Sequence, residues 1–177
     1  MAIAKRKKKF FDVDMPIIGK QTQLQAYELE ELNGRFLKYD LTRMLKGKNV
    51  MMTFKVIVEG EKAIATPIRS IVLPSFIRRM VRKGTNYVED SFQTEGKDSK
   101  LTIKPFLVTR RKVSRAVRKA LRDKTKEELI NYVKEKSAES LFDEMLNNQI
   151  QKVLSMKLKK IYPLALCEIR ILEIKEK

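Results

Sequence analysis

The chain has 177 residues, of which 43% are hydrophobic, so it can bury the core of one domain and is not disordered throughout. Its 39 lysines and arginines against 22 acidic residues give a net charge of +17, which favours a polyanion, nucleic acid above all, as partner. The chain has no histidine, which excludes histidine-based catalysis, and one cysteine, which excludes an intrachain disulfide. It also has no apolar run of roughly 18 residues, the length that a membrane-spanning helix needs. Together these features predict a cytoplasmic protein that is not an enzyme.

Residues 1–11 are predicted to form a basic arm before a single α+β domain over residues 12–177. The arm contains no acid and ends at an apolar pair, Phe10-Phe11. Its cations are Lys5, Arg6, Lys7, Lys8 and Lys9. Such a run has no core-forming pattern, so we expect it to be unordered in the free protein and to contact nucleic-acid phosphates. The same composition is typical of nuclear localisation signals.

Residues 12–109 are predicted to be mostly strands with one short helix. Alternation of apolar and polar residues predicts strands over residues 34–41, 50–58, 62–66, 87–94 and 100–109. The clearest is 50–58, where Val50, Met52 and Phe54 begin one apolar face. Pro67 is predicted to place the continuation of strand 62–66 at a sheet edge, because proline cannot donate a ladder hydrogen bond.

Pro74-Ser75 predicts the start of the short helix, with Ser75 as N-cap and Gly84 as the C-terminal stop. Phe76 and Ile77 begin its apolar stripe. The polar side carries four cations, Arg78, Arg79, Arg82 and Lys83. The helix is therefore expected to present a positive face.

Residues 110–162 are predicted to be helical, because the apolar period becomes 3.6. The first helix has a small apolar stripe, which consists of Val113, Ala116, Val117, Ala120 and Leu121. The other side and the preceding junction carry Arg110, Arg111, Lys112, Arg115, Arg118, Lys119 and Arg122. A solvated helix face usually mixes charges of both signs, so this concentration favours a binding surface over a solvated face.

The rest of the helical region is predicted to contain two more helices. Thr125 and Glu128 have the spacing of a capping box, which predicts that a short helix begins there. Ser140 is predicted to cap a longer helix whose end gathers three cations, Lys157, Lys159 and Lys160. Over residues 163–177 the chain is predicted to return as a strand with Cys167, Ile169 and Ile171 on one face.

This order of strands, helices and a last strand predicts an α+β fold with a mainly antiparallel, barrel-like core and flanking helices. The C-terminal strand is expected to return to the sheet after the helical segment, since alone its apolar face would be exposed. Closing the sheet would also remove its edges.

No catalytic, metal or cofactor site is predicted. Gly19-Lys20 lacks the rest of a phosphate-binding loop. Asp12 and Asp14 have strand spacing that could hold a divalent ion, but two exposed carboxylates explain them more simply. Cys167 alternates with apolar residues, so a buried small side chain is expected in place of a nucleophile.

The positive features are binding features, and arginine in particular matches the geometry of phosphate oxygens. Aromatic residues fall mostly on apolar faces, so recognition of the backbone and shape of a folded RNA is expected. One alternative is a free-standing RNA-binding protein or chaperone, which would need exposed aromatic residues. Another is a scaffold protein whose basic helix binds an acidic partner or an anionic membrane surface.

Four sequence motifs occur in order along the chain: Phe11-Asp12-Val13, Leu32-Asn33-Gly34-Arg35, Thr109-Arg110-Arg111-Lys112 and Ile161-Tyr162-Pro163-Leu164. Together they resemble the archaeal and eukaryotic small-subunit ribosomal proteins of the S-three-Ae family, also called eukaryotic-type S-one. The short arm and the early end after the last strand resemble the archaeal type.

The resemblance implies a structural protein of the small ribosomal subunit without catalytic residues, cofactor or metal. It implies a barrel-like core that binds small-subunit ribosomal RNA on the platform near the messenger RNA exit. Its expected partners are that RNA, neighbouring ribosomal proteins including ribosomal protein S-eleven, and messenger RNA near the exit. No membrane partner is implied.

Overall fold

The computed structural model describes residues 7–175 and shows an α+β fold, which confirms the predicted class. The strands are β1 (Lys9–Met15), β2 (Lys20–Ala26), β3 (Phe36–Asp40), β4 (Val50–Glu59), β5 (Lys62–Val72), β6 (Tyr87–Glu89), β7 (Phe92–Glu95), β8 (Lys100–Thr109) and β9 (Leu164–Lys175). The helices are α1 (Pro74–Met80), α2 (Arg115–Lys134), α3 (Ala138–Leu146) and α4 (Gln149–Leu158), with a short 3-10 helix at Leu29–Leu32. The chain divides into two units, and β3, β4 and β5 contribute residues to both.

The first unit contains residues 7–39 and Thr53–Ile68. In it β1 pairs antiparallel with β2 and parallel with the start of β5, at Val13↔Ala63. Its core includes Val13, Phe54 and Val56, all 0% exposed. Since β1 begins at Lys9, residues 9–11 of the predicted arm belong to a strand, whereas Lys5 and Arg6 lie outside the described residues.

The second unit contains Asp40–Met52 and residues 69–175. Its centre is the long antiparallel pair of β8 and β9, with β6 and β7 on the other side of β8 and the end of β5 beside β9. The helices bury Leu121, Leu129 and Leu154; α2 packs against β6 and β7, and α3 and α4 pack against β9. β9 therefore returns to the sheet after the helices, as predicted.

The hydrogen-bonded strand order is β2-β1-β5-β9-β8-β6, with β3 and β4 joined at β5 and β7 at β8. The β1–β5 pair is parallel, whereas β1–β2, β5–β9, β6–β8, β7–β8 and β8–β9 are antiparallel. The mainly antiparallel character is thus as predicted. The sheet is not closed, so the barrel-like description fits only loosely.

Pro67 does not place its strand at an edge, and that prediction is wrong. β5 runs through Pro67 and pairs with β1 at Ala63 and Ile64, then with β9 from Arg69 onward. Pro67 falls between these two paired segments, where the missing N–H interrupts neither of them.

Two predicted helix ends are also corrected. In α1 the proline is the first helical residue and Leu73 is the N-cap in place of Ser75. A backbone N–H at the first helical position has no partner within the helix, so proline, which has no N–H, loses no hydrogen bond there. The helix ends at Met80 with Val81 as its C-cap, before Gly84, which has a φ of +91° in the turn that follows.

The capping box predicted at Thr125 does not form, because α2 is one continuous helix of 20 residues. The Thr125 hydroxyl donates to the carbonyl of Leu121 at 2.6 Å, inside the helix. Leu121, Thr125, Leu129 and Val133 recur every four residues and are all buried. This packed row keeps the helix continuous through a sequence that also resembles a helix start.

The helix predicted from Ser140 is two helices, α3 and α4, and Ser137 is the N-cap of the first. Asn148 separates them with a φ of +57°, which asparagine tolerates better than most residues. In β9 the register shifts so that Lys104 faces Ile171 and Pro105 faces Ile169. The extra residue reverses the alternation, and Leu172 is buried with Ile169 in place of Ile171.

Candidate nucleic-acid interface

Asn86 and Thr109 fix the loop between β8 and α2. Thr109 is 0% exposed, and its hydroxyl oxygen accepts from the backbone N–H of Asn86 at 3.0 Å and donates to the carbonyl of Arg111 at 2.7 Å. The side-chain oxygen of Asn86 accepts from the backbone N–H of Val113 at 2.8 Å. These bonds hold the loop over residues 110–113 against the loop that precedes β6.

Two clusters of cations that are far apart in sequence lie on these two loops. Arg82 and Lys83 follow α1, and Arg110, Arg111 and Lys112 follow β8; all five are exposed. We call these five residues the basic junction. The hydrogen bonds of the Thr109 hydroxyl and the Asn86 side chain hold the two loops together, so the five cations of the junction lie on loops that are fixed to each other.

The first turns of α2 extend the positive surface. Ser114 is the N-cap, and its hydroxyl accepts from the backbone N–H of Val117 at 3.4 Å. Arg115, Lys119 and Arg122 are exposed and have no ion pair within residues 7–175. The three residues form the α2 row, which together with the basic junction is the candidate interface.

The apolar face of α2 differs from the predicted one. Ala116 and Ala120 are exposed, whereas Arg118 is half-buried and its Nε is buried with no hydrogen-bond partner among the described residues. The buried row of α2 continues from Val117 in steps of four residues, which exceed one full helical turn by about 40°. With each step the row therefore rotates around the helix axis toward the side of Arg118 and away from Ala116 and Ala120. Arg118 therefore lies at the edge of the packed face, and its place on the exposed side was a wrong prediction.

The acidic residues of α2 that form ion pairs lie in the second half of the helix. Lys124 pairs with Glu127 at 3.0 Å and with Glu128 at 3.2 Å, and Lys157 of α4 pairs with Glu128 at 2.5 Å. The hydrogen bond from Lys157 is the main cause that holds the pKa of Glu128 below its ordinary value. The charges of the α2 row therefore have no such local neutralisation.

The remaining predicted site residues have different surroundings. Arg79 donates to the side-chain oxygen of Asn49 at 2.8 Å and lies over the ring of Phe76, so it holds the chain together locally. Lys157 is engaged with Glu128, while Lys159 and Lys160 are exposed at the end of α4. Lys7, Lys8 and Lys9 are exposed, and Arg78 makes one long bond of 3.4 Å to the Pro74 carbonyl.

Sequence reasoning missed two kinds of residue here. It did not identify Asn86, because an asparagine in a basic loop is not distinctive in the sequence. It also placed the aromatic residues mostly on apolar faces and did not single out Tyr87, which is 55% exposed and next to Asn86.

Reactive groups are not assembled at this surface. Within residues 7–175 no group of three or more histidine, cysteine or acidic side chains could hold a metal ion. Burial is the main cause that raises the pKa of the Cys167 thiol to about 12, so it is not a nucleophile at neutral pH. No helix in the described part of the chain is long and apolar enough to cross a membrane.

The model of the Ribosomal S3Ae family matches residues 4–177. The chain belongs to this family. It is 31% identical to the small ribosomal subunit protein eS1 of Nanoarchaeum equitans, over 89% of this chain and 84% of that protein. It is also 31% identical to the protein of the same name from Methanothermobacter thermautotrophicus, over 82% of this chain and 72% of the relative.

Membership confirms the family predicted from the four motifs, and the archaeal relatives confirm its archaeal type. A member of this family is a ribosomal protein with a structural role, and the prediction that the chain is not an enzyme is confirmed. The predicted location in cytoplasmic ribosomes is confirmed on the same grounds.

Proposed function

We propose that this protein is a structural constituent of the small ribosomal subunit that binds ribosomal RNA on the platform near the messenger RNA exit. The RNA-binding surface is the basic junction with the α2 row. The observation that carries the proposal is a set of eight exposed cations, on two fixed loops and one helix, that have no ion pair within residues 7–175.

Unpaired cations this close together repel one another, and a polyanion removes that repulsion by neutralising them. Phosphate oxygens suit arginine because its planar guanidinium offers two parallel donors, and Arg82, Arg110 and Arg111 supply three such groups in the basic junction. Contacts of this kind supply affinity and orientation without reading sequence. Recognition of a particular RNA then depends on whether its shape fits the fixed loops.

Other predicted cations contribute at the margins of this surface. Arg78, Lys159 and Lys160 are exposed and available for phosphates, as are Lys7, Lys8 and Lys9. Arg79 and Lys157 are engaged with other side chains and Arg118 is half-buried, so we expect these three to contribute little to affinity. Ribosomal protein S-eleven and messenger RNA near the exit stay proposed neighbours.

The two alternative functions predict different surfaces. A membrane-binding helix needs bulky apolar residues beside its cations, whereas α2 exposes only Ala116 and Ala120 there. A scaffold for an acidic protein would bind independently of RNA. A free-standing RNA chaperone would not remain in ribosomal particles.

The proposal is tested by adding the tagged protein to archaeal lysate and separating particles on a sucrose gradient at moderate salt. We expect it in small subunits, and in small-subunit RNA after the other proteins are stripped. Nuclease treatment that releases the protein into acidic protein complexes would support the scaffold. Recovery only at the top of the gradient would contradict a ribosomal role.

A further inference from the structure

An open groove lies between α1 and the sheet face of β6 and β8. Its apolar walls are Ile77 and Val81 on one side and the rings of Tyr87 and Phe106 on the other. Arg78 and Glu89 also line it. The groove has a volume of about 410 Å³, within the range of pockets that bind small organic groups.

Tyr87 is the unusual residue of this groove. It is 55% exposed, and its ring stacks on Phe106 with the centroids 5.8 Å apart and the planes inclined by 23°. Phe106 is only 2% exposed, so the buried ring fixes the orientation of the exposed one. The Tyr87 hydroxyl makes no hydrogen bond within residues 7–175. A fixed aromatic face in contact with solvent can stack another ring at little cost in side-chain entropy.

The charges around the groove favour an anionic occupant. Tyr87 directly follows Asn86, the residue that fixes the basic junction. Among residues 7–175, Arg78 makes only the long bond to the Pro74 carbonyl, so its guanidinium is available. Glu89 is neutralised by Arg170 at 3.0 Å. A segment of another basic ribosomal protein would be repelled here, whereas an RNA backbone would be attracted.

We propose that this groove holds one unpaired nucleotide of the bound RNA, with its base stacked on Tyr87 and its phosphate beside Arg78 and the basic junction. The inference rests on the proposed function and adds a local requirement to it: an unstacked base next to the phosphate-binding surface. Unpaired bases on aromatic side chains are a general mode of RNA recognition, because every base has an aromatic face.

The direct test is ultraviolet crosslinking of the full-length protein to deproteinised archaeal small-subunit RNA. Trypsin cleaves after Lys83 and Lys97, so Tyr87 falls in a peptide of residues 84–97. We expect a nucleotide adduct on this peptide, at Tyr87. Adducts on other peptides and none on 84–97 would overturn the inference.

Affinity for the same RNA gives the second readout. Removing one stacked base contact is expected to weaken binding about tenfold, so Tyr87→Leu should show that loss. Tyr87→Phe keeps the ring and should bind within about twofold of the natural protein. Phe36→Leu is the control, since Phe36 is 63% exposed but belongs to the other unit. Thermal unfolding shows whether Tyr87→Leu remains folded. If that variant does not fold, the measurement on Tyr87→Phe is still valid.

The outcomes separate this inference from the function on which it rests. Strong binding that Tyr87→Leu leaves unchanged would overturn the nucleotide site and leave the RNA-binding function standing. Equal losses from Tyr87→Leu and Phe36→Leu would also overturn the site. If Tyr87→Leu weakens retention in assembled subunits but not RNA affinity, a protein neighbour occupies the groove and the inference is wrong. If the natural protein does not bind the RNA, the proposed function itself fails.

Discussion

The Thr109 hydroxyl accepts a hydrogen bond from the backbone N–H of Asn86 at 3.0 Å, while the backbone N–H of Thr109 donates to the carbonyl of Asn86 at 2.8 Å. Two loops with five cations are thus tied at one buried residue. These two hydrogen bonds explain how the strand β8 can end in a loop that holds positive charges in fixed positions.

Thr109→Val should therefore weaken both stability and RNA binding. The change keeps the shape but leaves the Asn86 N–H and the Arg111 carbonyl without their partner, at a cost of about 1–3 kcal/mol in the free energy of unfolding. RNA affinity should fall as well, because Arg111 is no longer held. Denaturant unfolding and filter binding measure the two effects.

Thr102→Val is a matched control on the same strand. The Thr102 hydroxyl is buried and has no hydrogen-bond partner in the described part of the chain, so valine there should be neutral or stabilising and should leave RNA binding unchanged. Equal costs for the two variants would show that the hydroxyl network at Thr109 has no special role.

Glu128 links α2 to α4, and Glu128→Gln should lower the free energy of unfolding at pH 7. Lys157 and Lys124 hold the pKa of Glu128 below 4.5, so the carboxylate stabilises the fold above that value and loses the effect as the pH falls through its lowered pKa. The difference between the natural protein and the variant should thus shrink in strong acid. Urea unfolding at several pH values checks this.

Glu127→Gln serves as the comparison, because within residues 7–175 Glu127 pairs only with Lys124 of its own helix, and its side chain is 60% exposed. It should cost less than Glu128→Gln at pH 7. If the two variants lose the same stability at pH 7, the bridge between α2 and α4 does not stabilise the fold.

The fold was predictable where apolar patterns were long and unambiguous. β4 and β8 were predicted almost to the residue, because Val50, Met52 and Phe54 alternate cleanly and β8 follows a marked turn. β2 was not identified, since Lys20–Ala26 is mostly polar and its side chains are largely exposed. The strand predicted over 87–94 is broken at Asp90, whose carboxylate accepts from the Ser91 N–H at 2.8 Å.

The site was predictable in composition but not in arrangement. The cations of residues 110–122 stood out in the sequence, yet nothing in it showed that Arg82 and Lys83 lie on the adjoining loop. That neighbourhood depends on the hydrogen bonds of Asn86 with Thr109 and Val113. The half-buried position of Arg118 was missed. Alanine is compatible with either face of a helix, so Ala116 and Ala120 did not indicate which face of α2 is buried.

Cys167 should react slowly with thiol reagents, although it lines a separate open pocket beside Gln151 and Glu168. Its pKa is raised to about 12, so the thiolate fraction is small at pH 8 and the labelling rate should rise about tenfold per pH unit from pH 8 to 10. Labelling in urea should be much faster at the same pH. Fast labelling of the folded protein at pH 8 would contradict the raised pKa. Cys167→Ala should cost about 1 kcal/mol and leave RNA binding unchanged.

Removal of residues 1–8 should leave the fold intact, because β1 begins at Lys9. The melting temperature should change by a few degrees at most. RNA affinity should fall, and its dependence on salt should become shallower, since Lys5, Arg6, Lys7 and Lys8 are lost. A large drop in melting temperature would show that this segment packs against the fold.

The central claim is that the basic junction and the α2 row bind RNA phosphates as a defined site. The variant Arg111→Gln/Arg115→Gln/Lys119→Gln removes three of its cations and keeps helix propensity nearly unchanged. The control Lys38→Gln/Lys62→Gln/Lys97→Gln removes the same charge from exposed positions elsewhere. Both variants should unfold at about the same temperature as the natural protein.

The deciding measurement is the affinity of these three proteins for deproteinised archaeal small-subunit RNA over a range of salt concentrations. With roughly ten phosphate contacts, the natural protein should give a slope of about −7 to −9 for log affinity against log salt. The site variant should lose affinity by several kcal/mol and have a slope shallower by about 2 to 3, while the control changes little. Equal losses in the two variants, or a slope shallower than about −3 for the natural protein, would contradict a defined phosphate-binding site.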